Sequence, residues 1–342
     1  MLAMPVVWSD ACRLHEPGGE IFVGVRTRGT EVPARLDAIR EALTGARFLA
    51  AEPHDDAALL DVHDARLLEY LAGAWADWEA AGLTGDPGQD RVVPYVFPHG
   101  ALAGSATPAA PWARPGAFGY DTMTLIGPGT WQAARAAADA ALTAAALVAG
   151  GAGAAYACVR PPGHHAGVCS YGGSCYLNNS AAAAAALARR FGDVAILDLD
   201  AHHGNGTQEI FRGRDDVLVG SVHVDPGAGW FPHFVGFASE NDATNRNITL
   251  APGSGDDAWL AGVRDLAEWV RGAAALVVPL GVDAAAVDPE SPLDVSPPGF
   301  REAGRIVGRL GVPTMFVQEG GYDLATIGEL VRETLLGFEE AR

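Results

Sequence analysis

Six short apolar runs divide this chain, and three of them are apolar at successive positions rather than at alternate ones. Those three are 194–199, 275–282 and 313–317. A strand of this kind is buried on both faces, which is typical of a parallel sheet covered by helices on each side. The sequence therefore predicts a parallel sheet with strands at 5–8, 155–159, 194–200, 216–223, 275–283 and 313–321.

Stretches with helical periodicity separate these runs. Strands that are joined through helices imply right-handed crossovers, which place the helices on the faces of the sheet. The length of 342 residues suffices for one large domain or two small ones. We expect a three-layer α/β/α architecture with helices at 34–44, 64–81, 130–149, 179–191, 258–271, 299–310 and 324–338.

Two long segments, 13–33 and 84–119, show neither the apolar runs typical of strands nor the periodicity typical of helices. The second is rich in Gly, Pro and Ala and contains "PYVFPHG" and "PWARPGAFGY". Connections of this length are uncommon in compact domains unless they form functional loops or an inserted lobe. We therefore expect both segments to have a functional role.

The formal net charge of −19 at pH 7 restricts the classes of partner. A nucleic-acid binder needs a basic face, whereas an acidic protein is compatible with attraction of a cationic substrate. The sequence contains no uncharged apolar run of about 18 residues that could cross a bilayer. Its first residues also lack the basic start and apolar core of a secretory signal. We expect a cytoplasmic protein without nucleic-acid or membrane partners.

Acidic residues and a histidine follow the apolar strands at the points where these end. Asp198, Asp200 and His202 are spaced by two in "LDLDAHH", and Asp283 ends "VVPLGVD". Ligands of parallel sheets bind at the carboxyl ends of the strands. Two carboxylates and an imidazole suit a divalent cation, and three protein ligands leave a position open, as in catalytic zinc sites. We therefore predict Asp200, His202 and Asp283 as metal ligands.

The segment "RPPGHHA" (160–166) holds two adjacent histidines behind two prolines and a glycine. This composition excludes a helix and predicts a stiff turn that carries His164 and His165. Histidine can both accept and donate a proton near neutral pH. The phenol of Tyr322, in "EGGY", could donate a hydrogen bond to a developing oxyanion. Together with a metal site, these groups predict a hydrolase that acts on an amide.

Five motifs then resemble the signature of one family. The chain resembles the histone-deacetylase-like amidohydrolases of the arginase–deacetylase superfamily, and most closely the bacterial acetylpolyamine amidohydrolases. The resemblance implies a single deacetylase domain over 1–342, built on one eight-stranded, mostly parallel sheet. It also implies one Zn²⁺ per subunit, a homodimer, and an active-site entrance bordered by 13–33 and 84–119. The motifs are "RPPGHHA", "CYLNN", "LDLDAHHGNGTQ", "LGVDAAAVDP" and "EGGY".

The resemblance also implies roles for individual residues. His165 would be the main general base and acid, with Asn205 as its neutral partner, and His164 would be its electrostatic partner. Asp198 would orient His164. Tyr322 would polarise the acetyl carbonyl. A structural K⁺ or Na⁺ would be held by Asp198 with Ser221 and Val222, and the substrate would contact Asp121, Gly173 and Phe231.

The chain departs from the family pattern at two places that bear on the substrate. The "G-aromatic-C" element that lines the family's substrate tunnel reads Gly173-Ser174-Cys175 here, so that one aromatic wall is missing or is replaced by Tyr171. The segment 84–119 contains no Glu, only Asp86 and Asp90, which argues against a long polyamine.

Several functions remain open at this point. We favour an acetylpolyamine or another small, cationic acetylated amine as substrate; acetyl-lysine in proteins and an acylated natural product are the alternatives. An arginase-type ureohydrolase with two manganese ions would need carboxylates at the positions of Gly204 and Ala285. A binding module without catalysis would be expected to have lost a ligand, a histidine or the tyrosine, and all are present.

Overall fold

A computed structural model describes residues 2–85, 88–104 and 106–342. Eight strands form one sheet in the order β4-β1-β5-β10-β9-β6-β7-β8, and β2 and β3 form a separate antiparallel hairpin. The strands are β1 (Val6–Trp8), β2 (Glu20–Phe22), β3 (Val25–Thr27), β4 (Phe48–Ala50), β5 (Ala154–Ala157), β6 (Val194–Asp198), β7 (Val217–Val224), β8 (Asn245–Leu250), β9 (Ala275–Leu280) and β10 (Thr314–Gln318).

Every pair of neighbouring strands in the large sheet is parallel, which confirms the predicted fold class. The sequence patterns located six of the eight strands. The other two, β4 and β8, are the edges of the sheet. The edge strand β8 reads "NRNITL" and β4 has only three residues, so neither has the two-sided apolar run of a central strand.

Helices cover both faces of the sheet. On one face α4 packs against α5, while α1, α9, α8 and α7 pack in succession on the other. The two short helices α2 and α6 were not predicted, and α9 begins three residues later than expected. The helices are α1 (Ala34–Ala42), α2 (Ala57–Leu60), α3 (Ala65–Ala80), α4 (Thr130–Ala149), α5 (Asn179–Phe191), α6 (Asn205–Phe211), α7 (Asp256–Trp269), α8 (Pro297–Gly308) and α9 (Ile327–Ala341).

Local sequence accounts for where the central helices begin. The run of alanines in α4 combines the highest helix propensity with small side chains that pack closely on the sheet. Asn178 caps α5 by accepting a hydrogen bond from the Ala181 backbone. Ser296 caps α8 in the same way from Gly299, with Pro297 at the first helical position. These caps fix the connections that leave the carboxyl edge of the sheet.

The core lies between the sheet and its two helical layers. All residues of β5, β6, β9 and β10 are buried, as expected for central strands that are covered on both faces. Within the described ranges, none of the helices combines the length and the apolar character needed to span a bilayer.

The two long segments differ in structure. The hairpin β2–β3 occupies the middle of 13–33 and is bonded to Thr122 in two places: Ile21 N donates to Thr122 O (3.3 Å), and Thr122 Oγ1 donates to Ile21 O (2.7 Å). The described part of 84–119 is irregular apart from single 3₁₀ turns such as Gly100–Leu102 and Arg114–Ala117. The hairpin thus has a fixed position beside residues 120–124.

Candidate metal and acid–base site

The predicted site residues converge at the carboxyl ends of four adjacent strands. The strands β5, β10, β9 and β6 are neighbours in the sheet in that order. The histidine pair follows β5, and Tyr322 follows β10. Asp283 follows β9, while Asp200 and His202 follow β6. This edge of a parallel sheet is where ligands bind in such folds. Residues separated by up to 158 positions therefore share one pocket.

The three predicted metal ligands form one cluster. The ligating atoms of Asp200, His202 and Asp283 all lie within 4.8 Å of one another. His202 Nδ1 is 2.9 Å from Asp283 Oδ2 and 3.5 Å from Asp200 Oδ1. One imidazole and two carboxylates are a donor set that zinc and related divalent ions accept. The residues present therefore fit a catalytic divalent metal.

Backbone groups orient the two carboxylates. Asp200 Oδ2 accepts a hydrogen bond from Gly320 N (2.8 Å), and Asp283 Oδ1 accepts one from Ala201 N (3.0 Å). A Cβ at Gly320 would lie 2.6 Å from carboxylate oxygens of both aspartates, so the "EGGY" turn needs glycine there. Such outer bonds fix ligand geometry before a metal binds.

The two histidines have different partners. His164 Nδ1 lies 3.1 Å from Asp198 Oδ2, whereas His165 Nδ1 lies 2.8 Å from Asn205 Oδ1. Their ring centroids are 4.0 Å apart. The pairing that was predicted for each imidazole, a carboxylate for one and an amide for the other, is the pairing observed.

The partners also separate the acidities of the two rings. Burial alone would lower the pKa of His164, but the carboxylates of Asp200 and Asp198 outweigh it and raise that pKa to about 10. For His165, burial and the neighbouring His164 lower the pKa well below its usual range. Two imidazoles whose pKa values are shifted in opposite directions can lie side by side with one charged and the other neutral.

Tyr322 lines the same pocket as His165 and His202. Its backbone N–H donates to Asp288 Oδ2 (2.6 Å), which also accepts from Asp323 N (3.0 Å). The guanidinium carbon of Arg35 is 4.7 Å from the Tyr322 ring centroid. Burial raises the pKa of the phenol well above its usual range, so that Tyr322 remains a hydrogen-bond donor at neutral pH.

The pocket has a volume of about 90 Å³. Phe231 forms one wall, with its ring edge-on to His165 at a centroid distance of 4.8 Å. Gly173 faces it with a φ of 56°, and a Cβ there would overlap the His165 ring and lie 2.9 Å from Phe231. The lining residues are Glu20, Thr30, Met123, His165, Gly173, Ser174, His202, Phe231, Glu290 and Tyr322.

Apart from Phe231 and Tyr322, the described lining residues of the pocket include no Phe, Tyr or Trp, and Ser174 and Met123 are among them. Tyr171 does not replace the missing ring, and that interpretation was wrong. Its side chain is fully buried, stacks between Tyr70 and Tyr176, and is not among the residues that line the pocket. The adjacent glycine turn directs Ser174, and not Tyr171, into the pocket.

Asp121 serves the turn that carries Gly173. Its carboxylate accepts bonds from the backbone N–H groups of Met123 (2.9 Å), Thr124 (2.8 Å) and Gly173 (2.6 Å). Asp121 is not among the lining residues of this pocket, but it lines a second pocket that shares Met123 and Phe231 with it. Its contact with substrate stays a prediction.

The residues predicted to hold a monovalent cation are neighbours in the sheet. The register of β6 and β7 pairs Asp198 with Ser221, which precedes Val222, and all three are buried. The Ser221 hydroxyl is 2.8 Å from His223 Nδ1. A K⁺ or Na⁺ at this position stays a prediction.

Two carboxylates that the sequence patterns did not single out also line the pocket. Glu20 begins β2, and Glu290 follows the "DP" of the motif after β9. Thr30 Oγ1 donates to Glu290 Oε1 (2.9 Å) and holds that side chain. Burial, followed by the charges of Glu290 and Asp121, raises the pKa of Glu20 to about 7. The pocket mouth is therefore acidic.

Asp90, the described acidic residue of 84–119, does not line the pocket. Asp90 is paired with Arg26 of the hairpin. Asp86 lies outside the described residues. Among the described residues, the carboxylates that line the pocket are therefore Glu20 and Glu290.

Comparison with known proteins agrees with this arrangement. A family model described as the histone deacetylase domain matches residues 29–338. The chain belongs to the histone deacetylase family. Its relatives within that family include acetylpolyamine amidohydrolase 1 of Pseudomonas aeruginosa, 41% identical over 98% of this chain and 99% of the relative. The resemblance that the motifs carry is therefore confirmed.

Two further histone deacetylase relatives have the same description. The acetylpolyamine amidohydrolase of Mycoplana ramosa is 37% identical over 98% of this chain and 99% of its own length. A crystal structure of the acetylpolyamine aminohydrolase from Burkholderia pseudomallei superposes with a TM-score of 0.93 at 36% identity, covering 99% and 100% of the two chains. The similarity thus extends over the whole described fold.

Proposed function

We propose that this chain is a zinc-dependent deacetylase, acting as a single domain over 1–342, that removes the acetyl group from a small cationic acetylated amine. One observation carries the proposal: a metal-ligand triad, a histidine pair and a tyrosine share a pocket with two carboxylates at its mouth. Acetylpolyamines are the substrate class named for its relatives. A cytoplasmic homodimer remains part of the proposal, on the family resemblance and the sequence.

Asp200, His202 and Asp283 would hold the zinc. When bound, the metal would polarise the acetyl carbonyl and acidify a water molecule. Asp198, Ser221 and Val222 would hold K⁺ or Na⁺ behind it.

The chain's own residues supply the proton transfers. A neutral His165 accepts a proton at Nε2, because Nδ1 is engaged by the Asn205 carboxamide oxygen. It then returns a proton to the leaving amine nitrogen. Tyr322 donates its phenolic hydrogen to the carbonyl oxygen as negative charge develops there, which stabilises the tetrahedral arrangement. His164, whose Nδ1 lies 3.1 Å from Asp198 Oδ2, stands beside this site as the electrostatic partner of His165.

The mouth of the pocket supports an amine with a second positive charge. Glu20 and Glu290 line the same pocket as the catalytic groups. A distal ammonium would pair with these carboxylates, whereas an acetyl-lysine peptide would present an uncharged backbone at this depth. Protein acetyl-lysine and natural-product amines are thus the less favoured substrates.

Removal of either mouth carboxylate should weaken binding of the cationic substrate alone. For Glu20→Gln and Glu290→Gln we expect KM for an N-acetyldiamine to rise about tenfold with kcat little changed, because a charge-assisted hydrogen bond contributes about 1.5–3 kcal/mol. N-butylacetamide, which lacks the distal charge, is the matched substrate, and exposed Glu16 in Glu16→Gln is the matched residue. Equal losses on both substrates would contradict a role in cation recognition.

The acidity of Glu20 predicts a pH dependence of selectivity. With a pKa of about 7, Glu20 is largely neutral at pH 6 and largely ionised at pH 8, while an alkylammonium stays charged at both. The ratio of kcat/KM for the N-acetyldiamine to that for N-butylacetamide should therefore rise from pH 6 to pH 8. Taking the ratio cancels titration of the catalytic groups. The rise should vanish in Glu20→Gln, and a wild-type ratio independent of pH would contradict the prediction.

The decisive experiment compares kcat/KM of the zinc-loaded protein on an N-acetyldiamine and an acetyl-lysine peptide. A clear preference for the diamine supports the proposal. A preference for the peptide would favour the protein deacetylase, with the open wall at Ser174 admitting the larger substrate. Inactivity on both, with zinc bound, would reject deacetylation of either class.

A further inference from the structure

A buried ionic cluster of Glu31, Arg35 and Arg160 lies behind the pocket. The side chains are almost fully enclosed, with exposed fractions of 4%, 1% and 0%. The Glu31 carboxylate accepts two bonds from Arg160, at 2.8 Å from Nε and 2.6 Å from Nη2, and one from Arg35 Nη1 at 3.0 Å. The Glu31 carboxylate therefore pairs with both guanidinium groups. None of these three side chains takes part in the mechanism described above.

Each arginine of the Glu31 cluster belongs to or contacts a different catalytic loop. Arg160 is the first residue of "RPPGHHA", and its Nη1 also donates to the carbonyls of Cys12 (2.9 Å) and His15 (2.7 Å). Arg35 donates from Nε to Gly321 O (2.6 Å) and from Nη2 to Glu319 O, two carbonyls of the turn that leads to Tyr322. Its guanidinium also faces the Tyr322 ring.

We propose that Glu31 is a positioning residue for this reaction. It fixes Arg35, and Arg35 in turn holds the turn 319–322 so that the Tyr322 phenol faces the substrate carbonyl. Through Arg160, Glu31 also fixes the loop that carries His164 and His165. The proposal rests on the deacetylase function given above. The three donors of Arg35 have three acceptors, of which Glu31 is the one that carries a negative charge. A buried guanidinium without its carboxylate rearranges or draws in water, because an unpaired buried charge is costly.

The turn has other anchors, so its displacement would not require unfolding. Asp288 holds the N–H groups of Tyr322 and Asp323 from the far side. The Glu319 carboxylate accepts bonds from Gly163 N (2.6 Å) and His164 N (3.1 Å) and ties the two catalytic loops together. Loss of Glu31 therefore removes one of several supports. The expected result is a misplaced phenol in a folded protein, which lowers kcat more than it changes KM.

The test is a kinetic double-mutant cycle between Glu31→Gln and Tyr322→Phe in the zinc-loaded protein. We expect Glu31→Gln to lower kcat about tenfold to a hundredfold, since small displacements of a positioned group have effects of this size, with KM within about twofold. In the Tyr322→Phe background, where no phenol remains, the same change should lower kcat less than about threefold. A merely structural role would lower kcat by the same factor in both backgrounds.

Glu339→Gln is the matched control. Glu339 accepts bonds from the backbone N–H groups of Ala3 (2.8 Å) and Met4 (2.7 Å), which precede β1 and therefore lie at the edge of the parallel sheet opposite the catalytic loops. It should lower thermal stability without affecting kcat. All assays are run well below the Tm of each variant, with zinc content measured in parallel.

Arg35→Lys serves if Glu31→Gln does not fold, because lysine keeps the charge but cannot reach all three acceptors. It should reproduce the loss of kcat and its dependence on Tyr322. Three results would overturn the positioning role. The two substitutions could have additive effects on kcat, the change could affect KM alone, or a loss of bound zinc could account for the loss of activity. An inactive wild type would instead refute the proposed function and the inference that rests on it, whereas an active wild type with an unaffected Glu31→Gln would refute the inference alone.

Discussion

His165→Ala should lower kcat by about two to four orders of magnitude, because general acid–base catalysis by a positioned side chain contributes about that much. The imidazole lies between the neutral Asn205 partner and the pocket, and burial keeps its pKa low, so it is available as a base at neutral pH. Zinc content should stay near one per chain, because His165 is not among the three clustered ligands. The measurement is kcat on the N-acetyldiamine with zinc determined on the same sample.

The control for this variant is His233→Ala. His233 is exposed and its ring centroid is 6.3 Å from Phe231, yet it does not line the pocket. It should leave kcat within about twofold of the wild type, as is usual for exposed positions without a special role. Near-normal turnover in His165→Ala would reject the assigned proton transfer, and the same loss in His233→Ala would point to an indirect effect on the pocket.

Asp283→Ala should abolish activity by removing the metal. Loss of one of three protein ligands leaves two donors, and the bound zinc should fall from about one per chain to almost none after dialysis. Asp283 Oδ1 also accepts the Ala201 N–H, so Asp283→Asn, which keeps the shape of the side chain, is made in parallel. Elemental analysis of dialysed protein measures the outcome directly, without relying on catalysis.

Asp288→Asn provides the comparison for the metal experiment. Asp288 is a buried carboxylate five residues further along, and it bonds the backbone of Tyr322 rather than the ligand cluster. It should retain zinc even though its kcat changes. Full zinc occupancy in Asp283→Ala would show that the ligand assignment is wrong.

Sequence patterns found the parts of the site that are encoded locally. Asp200 and His202 stand at alternate positions directly after one buried strand, and Asp283 ends another, so the rule that strand ends meet at one edge suffices to bring them together. The same rule places the histidine loop and Tyr322 at that edge. The motifs and the strand pattern thus predicted most of the residues that the fold brings together at this edge.

The acidic pocket mouth could not be found in this way. Glu20 and Glu290 are 270 positions apart, and each follows ordinary turn residues, Gly-Gly in one case and Asp-Pro in the other. Their proximity depends on how the hairpin β2–β3 is held against Thr122, a backbone contact that side-chain composition does not indicate. The error over Tyr171 has a similar origin, since the tight turn at Gly172–Cys175 decides which side chain enters the pocket.

The strand order has a consequence for how the molecule is made. The strand β10, which is the last in the chain, lies between β5 and β9, and Tyr322 follows it directly. During synthesis the amino-terminal part of the sheet and the β6–β9 part must wait, with unpaired inner edges exposed, until residue 318 has left the ribosome. Strands of such distant origin pair slowly. The nascent chain therefore passes through a period in which it is open to aggregation and to chaperones, and that period ends when the strand that precedes Tyr322 closes the sheet.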